Sequence, residues 1–265
     1  MSTAPPRHYL VMTATITPPP DAPGLTRTDP QLRHDDYQIA LTHYCALLGD
    51  CLDGIVFAEN SGSDLTDLRR LAAESTAGPV EFLALDASSN EPAGGRCFGE
   101  SRILDAVMAR SALVAHAMAA DVFWKVTGRY RVLNLPSLIH TRPKDFDFYC
   151  DLRNAPSPWA DMRIMGWTRA EFAHCLEGVG DLIREDANRG RPGEETLYGI
   201  LRKRAVRSRV ITCLRREPLI DGIRAYDNRN WSEGRQKVVY WLRHFAAARA
   251  ATSMVLGRPA DAGSP

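Results

Sequence analysis

The first 134 residues alternate between short apolar, β-prone runs and helical periodicity, and few architectures accept that order. Residues 8–16 (HYLVMTATI) form an apolar run that Pro18, Pro19 and Pro20 stop. Over 35–52, Tyr37, Leu41, Tyr44, Leu47 and Leu48 recur on one helical face behind Asp35 and Asp36. Residues 54–60 (GIVFAEN) read as a second buried strand, 64–73 as a short helix and 80–86 (VEFLALD) as a third strand. A polar loop over 87–97 precedes a helix over 99–116, whose apolar face is Ile103, Leu104, Val107, Met108 and Ala112. A fourth strand is expected over 122–132. This β-α-β-α-β-α-β order predicts an α/β fold with a mostly parallel central sheet flanked by helices. Right-handed crossovers bring the C-terminal ends of parallel strands to one sheet edge, where ligands bind.

The remaining residues change character. Segments 146–153 and 161–167 read as strands, 193–210 and 231–251 as helices, and 213–222 as a strand. Residues 168–177 read as a helix capped by Thr168, with Glu171 completing a capping box. One domain over 1–265 is expected, with halves at 8–134 and 135–251 and a flexible Gly/Pro/Ala-rich tail over 252–265. A chain of 265 residues that is 45% hydrophobic can bury a sizeable core. Its formal net charge of +1 gives no global field to recruit nucleic acid. No apolar run reaches the roughly 18 residues of a membrane span, and the N-terminus lacks a secretory pattern. The six cysteines show neither CxxC nor zinc spacing, which fits reduced thiols in a cytoplasmic protein.

The polar residues at the strand ends carry the chemistry. Thr13 and Thr15 end the first strand, and Glu59, Asn60, Ser61 and Gly62 end the second. A carboxylate such as Glu59 can bind a base or ribose there; alternatively the segment is an Asx turn before the next helix. Gly99 and Glu100 open the third helix, where free N–H groups suit an anion. Lys125 interrupts an apolar strand and Arg129 follows after Thr127 and Gly128. Two cations at the sheet edge suit a departing diphosphate, although a salt-bridged lysine is the simpler reading of Lys125. Asp151, Arg153, Asp161 and Arg163 form two D-x-R pairs, which fit an acceptor pocket or a cross-strand ion-pair ladder. Asp161, Glu194 and Glu195 are candidate general bases. Asp145 and Asp147 resemble a DxD element able to hold a divalent cation. With lysine and arginine supplying positive charge, no metal or other cofactor is required. Seven basic residues over 202–216, with no acidic one before Glu217, raise the option of attraction to a membrane surface.

The segments Glu59-Asn60-Ser61-Gly62, Gly99-Glu100 and Lys125-Val126-Thr127-Gly128-Arg129-Tyr130 resemble bacterial glycosyltransferases of surface-polysaccharide gene clusters, which carry a strand-end ENSG and a (W/F)KxTGRY segment. Asp151-Leu152-Arg153-Asn154 and Asp161-Met162-Arg163 are similar to that family too. The resemblance implies a single-domain GT-A-like fold and sugar transfer from a nucleotide-sugar donor to a glycan or lipid-linked acceptor. On this reading Thr13, Thr15, Glu59, Asn60, Ser61, Gly99, Glu100 and Thr127 bind donor, while Lys125 and Arg129 stabilise the leaving diphosphate. Asp151, Arg153 and Arg163 face the acceptor, and Asp161 or Glu195 is the base. The sequence departs from the wider GT-A class where a DxD is expected, because Lys125 and Thr127 stand there. Nucleotidyl transfer to a sugar phosphate is the competing chemistry, but residues 15–20 lack the glycine-rich loop it uses. A non-catalytic carbohydrate-binding subunit is the third option.

Overall fold

β-branched and aromatic residues buried on both faces make a central strand, and the run His8–Ala14 is buried throughout. The computed structural model describes residues 4–22, 24–86, 95–154, 157–183, 192–205, 208–233 and 238, and the backbone of Val255 and Leu256. The order is β1 (His8–Ala14), α1 (Pro30–Cys45), β2 (Gly54–Glu59), α2 (Thr66–Ser75), β3 (Val80–Ala84), α3 (Gly95–Arg110), α4 (Ala112–Ala115) and β4 (Val122–Thr127). Then come β5 (Arg131–Val132), α5 (Leu135–Thr141), β6 (Phe148–Arg153), β7 (Trp159–Thr168), α6 (Phe172–Cys175), α7 (Val179–Leu182), α8 (Gly193–Arg204), β8 (Val210–Ile211), β9 (Ile220–Asp221) and β10 (Val255–Leu256).

An eight-stranded sheet has the order β10-β8-β6-β7-β4-β1-β2-β3. β1 pairs in parallel with β2 and β4, and β2 with β3. β7 lies antiparallel between β4 and β6, so β6 and its parallel neighbour β8 run in the direction of β1. Successive strand residues point to opposite faces. Leu10, Met12, Phe57 and Trp124 pack with Tyr37 and Leu41 of α1, while Val11, Val56, Phe123 and Trp167 pack with Ile103, Leu104 and Val107 of α3. The expected α/β class and mostly parallel, helix-flanked sheet are therefore present. Chain order reverses between β1 and β4, and a crevice opens at their C-terminal ends, as in other sheets with such a switch point.

Several boundaries differ from expectation for local reasons. α1 starts at Pro30, where the missing N–H costs nothing, and the Asp29 carboxylate caps it by accepting from the Gln31 and Leu32 amides. The expected strand over 122–132 ends at Thr127. Gly128 N–H donates to Thr13 O, and the chain turns before β5 pairs antiparallel with β9. A Cβ at Gly128 would lie 2.8 Å from Thr13 O, so this turn against β1 requires glycine. The helix expected over 99–116 breaks at Ser111, where Glu81 accepts from the Ser111 hydroxyl and the Ala112 and Leu113 amides. Thr168 does not cap a helix: it ends β7, and Glu171 reaches His174 and Ser208 instead. Of the strand expected over 213–222 only Ile220–Asp221 (β9) forms, β8 lies ahead of it at Val210–Ile211, and α8 stops at Arg204. Beyond Glu233 the helix expected over 231–251 falls outside the described residues, apart from Val238, and within the expected tail Val255 and Leu256 pair with β8.

Candidate functional site

Two adjoining cavities occupy the crevice at the ends of β1 and β4. The smaller, about 100 Å³, is walled by Thr13, Thr15, Arg33, Tyr37, Gly99 and Arg129. The larger, about 420 Å³, is walled by Arg153, Trp159, Asp161, Arg163, Glu194 and Trp231. Arg96, Glu100, Thr127, Arg129 and Ala225 line both, so these residues mark the junction. The loop after β9 closes over it: Ala225 O accepts from the Thr26 and Arg27 amides.

The smaller cavity holds two buried guanidinium groups. Arg33 is 5% exposed and Arg129 7%. Arg33 donates from Nε to Thr15 O (2.8 Å) and from Nη1 to Arg27 O (3.1 Å). Arg129 donates from Nη1 to Ile223 O (2.9 Å), while its buried Nε has no partner. Among the described residues no carboxylate pairs with either arginine, and the nearby Asp36 is held by Arg27 at 2.6 Å. Burial, followed by the neighbouring charge of Arg129, lowers the Arg33 pKa. Burial lowers the Arg129 pKa too, but Tyr130, Tyr37 and Asp36 outweigh it and raise the value. Two desolvated cations that pair with no carboxylate among the described residues are costly, and an anion between them removes that cost. Arg129 was expected here; Arg33 was not. Its signal was weak, since it stands one turn ahead of Tyr37 in a stretch read as preceding the helix.

Lys125 lies one layer further back. Its side chain is fully buried and lines neither cavity. Nζ donates to Glu100 Oε2 (2.6 Å), Thr127 Oγ1 (3.2 Å) and Met162 O, which uses all three ammonium hydrogens. It therefore has no donor left for a diphosphate. It holds Glu100 instead. Glu100 Oε1 accepts from the hydroxyls of Thr127 (3.1 Å) and Thr13 (3.4 Å). With 22% of its side chain exposed, Glu100 presents a fixed carboxylate at the junction of the cavities.

The ENSG segment fastens loops together. Glu59 and Asn60 are fully buried. Glu59 Oε1 accepts from Ile16 N (3.0 Å), Ser61 N (2.9 Å) and Ser61 Oγ, and Oε2 accepts from Ser63 N (3.3 Å). Thr15 Oγ1 donates to Asn60 Oδ1 at 2.7 Å. Glu59, Asn60 and Ser61 line neither cavity, so the expected direct contact of Glu59 with a ligand is replaced by bracing of the loop after β1.

On the other flank, Asp161 and Arg163 neutralise each other: Arg163 Nε donates to both carboxylate oxygens, at 2.9 and 3.0 Å. Burial pushes the Asp161 carboxyl up, but Arg163 and then Lys125 outweigh it and hold the pKa below the usual carboxylate range. The Arg153 guanidinium lies over Trp159, 5.1 Å from the ring centre. A register shift between Cys150 and Leu152 separates Asp151 from Arg153. Asp151 accepts from Leu214 N (3.2 Å) and lines neither cavity. Glu194 faces the larger cavity; Glu195 does not.

Asp145 and Asp147 precede β6, which runs parallel to β4, so they sit at the opposite sheet edge from the crevice. Asp145 is 79% exposed beside Arg209 (3.7 Å), and Asp147 accepts from Arg209 N (2.5 Å). Among the described residues no group of three acidic, histidine or cysteine side chains could hold a metal ion. These residues do not fit a cation on a diphosphate in the crevice. The basic residues described over 202–216 do not share one face, and Arg207 lies outside the described residues: Arg202 reaches Tyr198, Arg204 reaches Glu177 O, and Arg215 reaches Thr141 O. No helix among the described residues is long and apolar enough to cross a membrane.

No protein-family model matches the chain, and no curated protein matches it. Solved structures resemble it at low identity. A proposed nucleotide-diphospho-sugar transferase from Desulfovibrio desulfuricans G20 has a TM-score of 0.45 at 12% identity, over 77% of this chain and 78% of its own. A 4-diphosphocytidyl-2C-methyl-D-erythritol synthase has a TM-score of 0.45 at 9% identity, over 91% and 100%. Mouse xyloside xylosyltransferase 1 has a TM-score of 0.41 at 10% identity, over 74% and 81%. Likenesses of this strength carry no argument about activity, which rests on the crevice itself.

Proposed function

We propose that this chain is a glycosyltransferase of GT-A-like fold that holds the diphosphate of a nucleotide-sugar donor at the smaller cavity, with the sugar toward the junction, and an acceptor in the larger. The observation that carries this reading is the pair Arg33 and Arg129, buried at the β1/β4 switch point with no carboxylate partner among the described residues. A nucleoside diphosphate supplies the missing negative charge, and two guanidinium groups stabilise the further charge that develops as it leaves.

Glu100 stands where donor and acceptor meet. In the proposed step the acceptor hydroxyl oxygen attacks the anomeric carbon and its proton passes to Glu100. The bond from that carbon to the diphosphate oxygen breaks, and the electron pair leaves with the diphosphate. Lys125, Thr13 and Thr127 act through Glu100 as positioning residues, and Glu59 and Asn60 act through the loop after β1, where the Thr15 carbonyl accepts from Arg33 of α1. This reassigns the base from Asp161, which lines only the larger cavity, and Glu195, which lines neither, to Glu100 at the junction of the two. A glycan or lipid-linked glycan acceptor, a role in cell-surface polysaccharide synthesis and a cytoplasmic site complete the proposal; they rest on the sequence resemblance.

The product decides between chemistries. Incubation with nucleotide sugars should release nucleoside diphosphate and free or transferred sugar. Release of pyrophosphate from nucleoside triphosphate and sugar phosphate would replace this reading with nucleotidyl transfer. Donor binding without any turnover would replace it with a binding subunit.

A further inference from the structure

The larger cavity contains a cation that the donor does not use. Arg153 sits near the C-terminal end of β6, on the wall away from Arg33. Its guanidinium stacks over Trp159, and its buried Nε has no hydrogen-bond partner. Among the described residues no carboxylate or carbonyl engages it. Its neighbour on the same wall, Arg163, has its charge met by Asp161. The two arginines thus differ: one is neutralised by a neighbouring carboxylate, and the other meets none among the described residues. Stacking on an aromatic ring fixes the plane of a guanidinium while leaving its N–H edge free for an oxyanion.

We infer that the acceptor carries an oxyanion, a carboxylate or a phosphate, which Arg153 binds while the reacting hydroxyl lies at Glu100. The inference rests on the glycosyltransferase reading and narrows its acceptor to anionic saccharides. A uronate ring and a sugar phosphate offer the same bidentate pair of oxygens. They differ in charge and in the distance from oxyanion to ring, so a comparison of the two identifies the source.

The test separates this inference from the reading it rests on. The protein is first saturated with the nucleoside diphosphate that stabilises it most, so that Arg33 and Arg129 are occupied. It is then titrated by calorimetry with methyl glucoside, methyl glucuronide and glucose 1-phosphate. At least one anionic ligand should bind about tenfold or more tightly than the neutral one, the scale of a charge-assisted hydrogen bond. Arg153→Gln should erase that preference and Arg153→Lys should keep part of it, with circular dichroism confirming that both variants are folded. Equal affinity for neutral and anionic ligands in the native protein, or an undiminished preference in Arg153→Gln, overturns the inference. Failure to bind any nucleoside diphosphate in the first stage instead overturns the donor-site reading.

Discussion

The two edges of the sheet are equally polar but treat their charges in opposite ways. At the N-terminal edge each carboxylate is met locally. Asp121 accepts from Arg7 N (2.9 Å) and forms an ion pair with Arg7 Nη2 (2.8 Å), Asp53 accepts from His8 N (2.7 Å), and Asp147 accepts from Arg209 N (2.5 Å). At the C-terminal edge, Arg33 and Arg129 are buried with no carboxylate partner among the described residues, while Glu100 is held by Lys125 with its outer face toward a cavity. Buried charge with an internal partner holds a fold together; buried charge without one is set for a ligand. The same contrast occurs within one motif. Lys125 and Arg129 are four residues apart, yet the first is fully engaged and the second is not.

Substitutions at the two edges should therefore separate catalysis from stability. The largest effect is expected at Glu100: Glu100→Gln should lower kcat by roughly 10³-fold, within the range for loss of a general base, with donor affinity measured alongside by calorimetry. Lys125→Met should come next and show in two readouts. It leaves Glu100 without its cation, so thermal or urea unfolding should show a loss of about 3 kcal/mol. Transfer should fall through kcat more than through KM, because the carboxylate is displaced while the donor site remains. Asp121→Ala, at the other edge, should cost about 2 kcal/mol of stability and leave the donor dissociation constant unchanged. The smallest effect belongs to Asp145→Asn combined with Asp147→Asn, which should change turnover by less than about twofold. EDTA should likewise leave transfer intact. Loss of activity in that double variant, or loss with EDTA that Mn²⁺ or Mg²⁺ restores in the native protein, would move the diphosphate site away from the arginines.

The sequence carried the architecture well because alternation of apolar period is a local signal. Strands at Val80–Ala84 and Phe148–Arg153 and the edge position of Thr13, Thr15, Thr127 and Arg129 were legible for that reason. Partnership is not local. Whether Lys125 meets a ligand depends on Glu100 and Met162, which are distant in sequence. Glu59 at a strand end looked like a ligand contact, but its acceptors are filled by Ile16, Ser61 and Ser63. The Asp145/Asp147 pair was placed by type of residue alone. Its edge follows from the direction of β6, which depends on the antiparallel insertion of β7. Arg33 was missed because the helix start was set at Asp35, past the Asp29 cap and Pro30 that open α1.

The most direct measurement of the central claim is a thermal-shift titration of the native protein and Arg129→Ala with nucleosides, nucleoside monophosphates and nucleoside diphosphates. At one hundred times Kd a bound diphosphate should add about 2.7 kcal/mol of stability, a rise in Tm of several degrees. The account predicts that stabilisation grows from nucleoside to diphosphate in the native protein and that Arg129→Ala removes most of the diphosphate increment. Equal stabilisation by nucleoside and diphosphate, or a diphosphate increment that survives in Arg129→Ala, would contradict it.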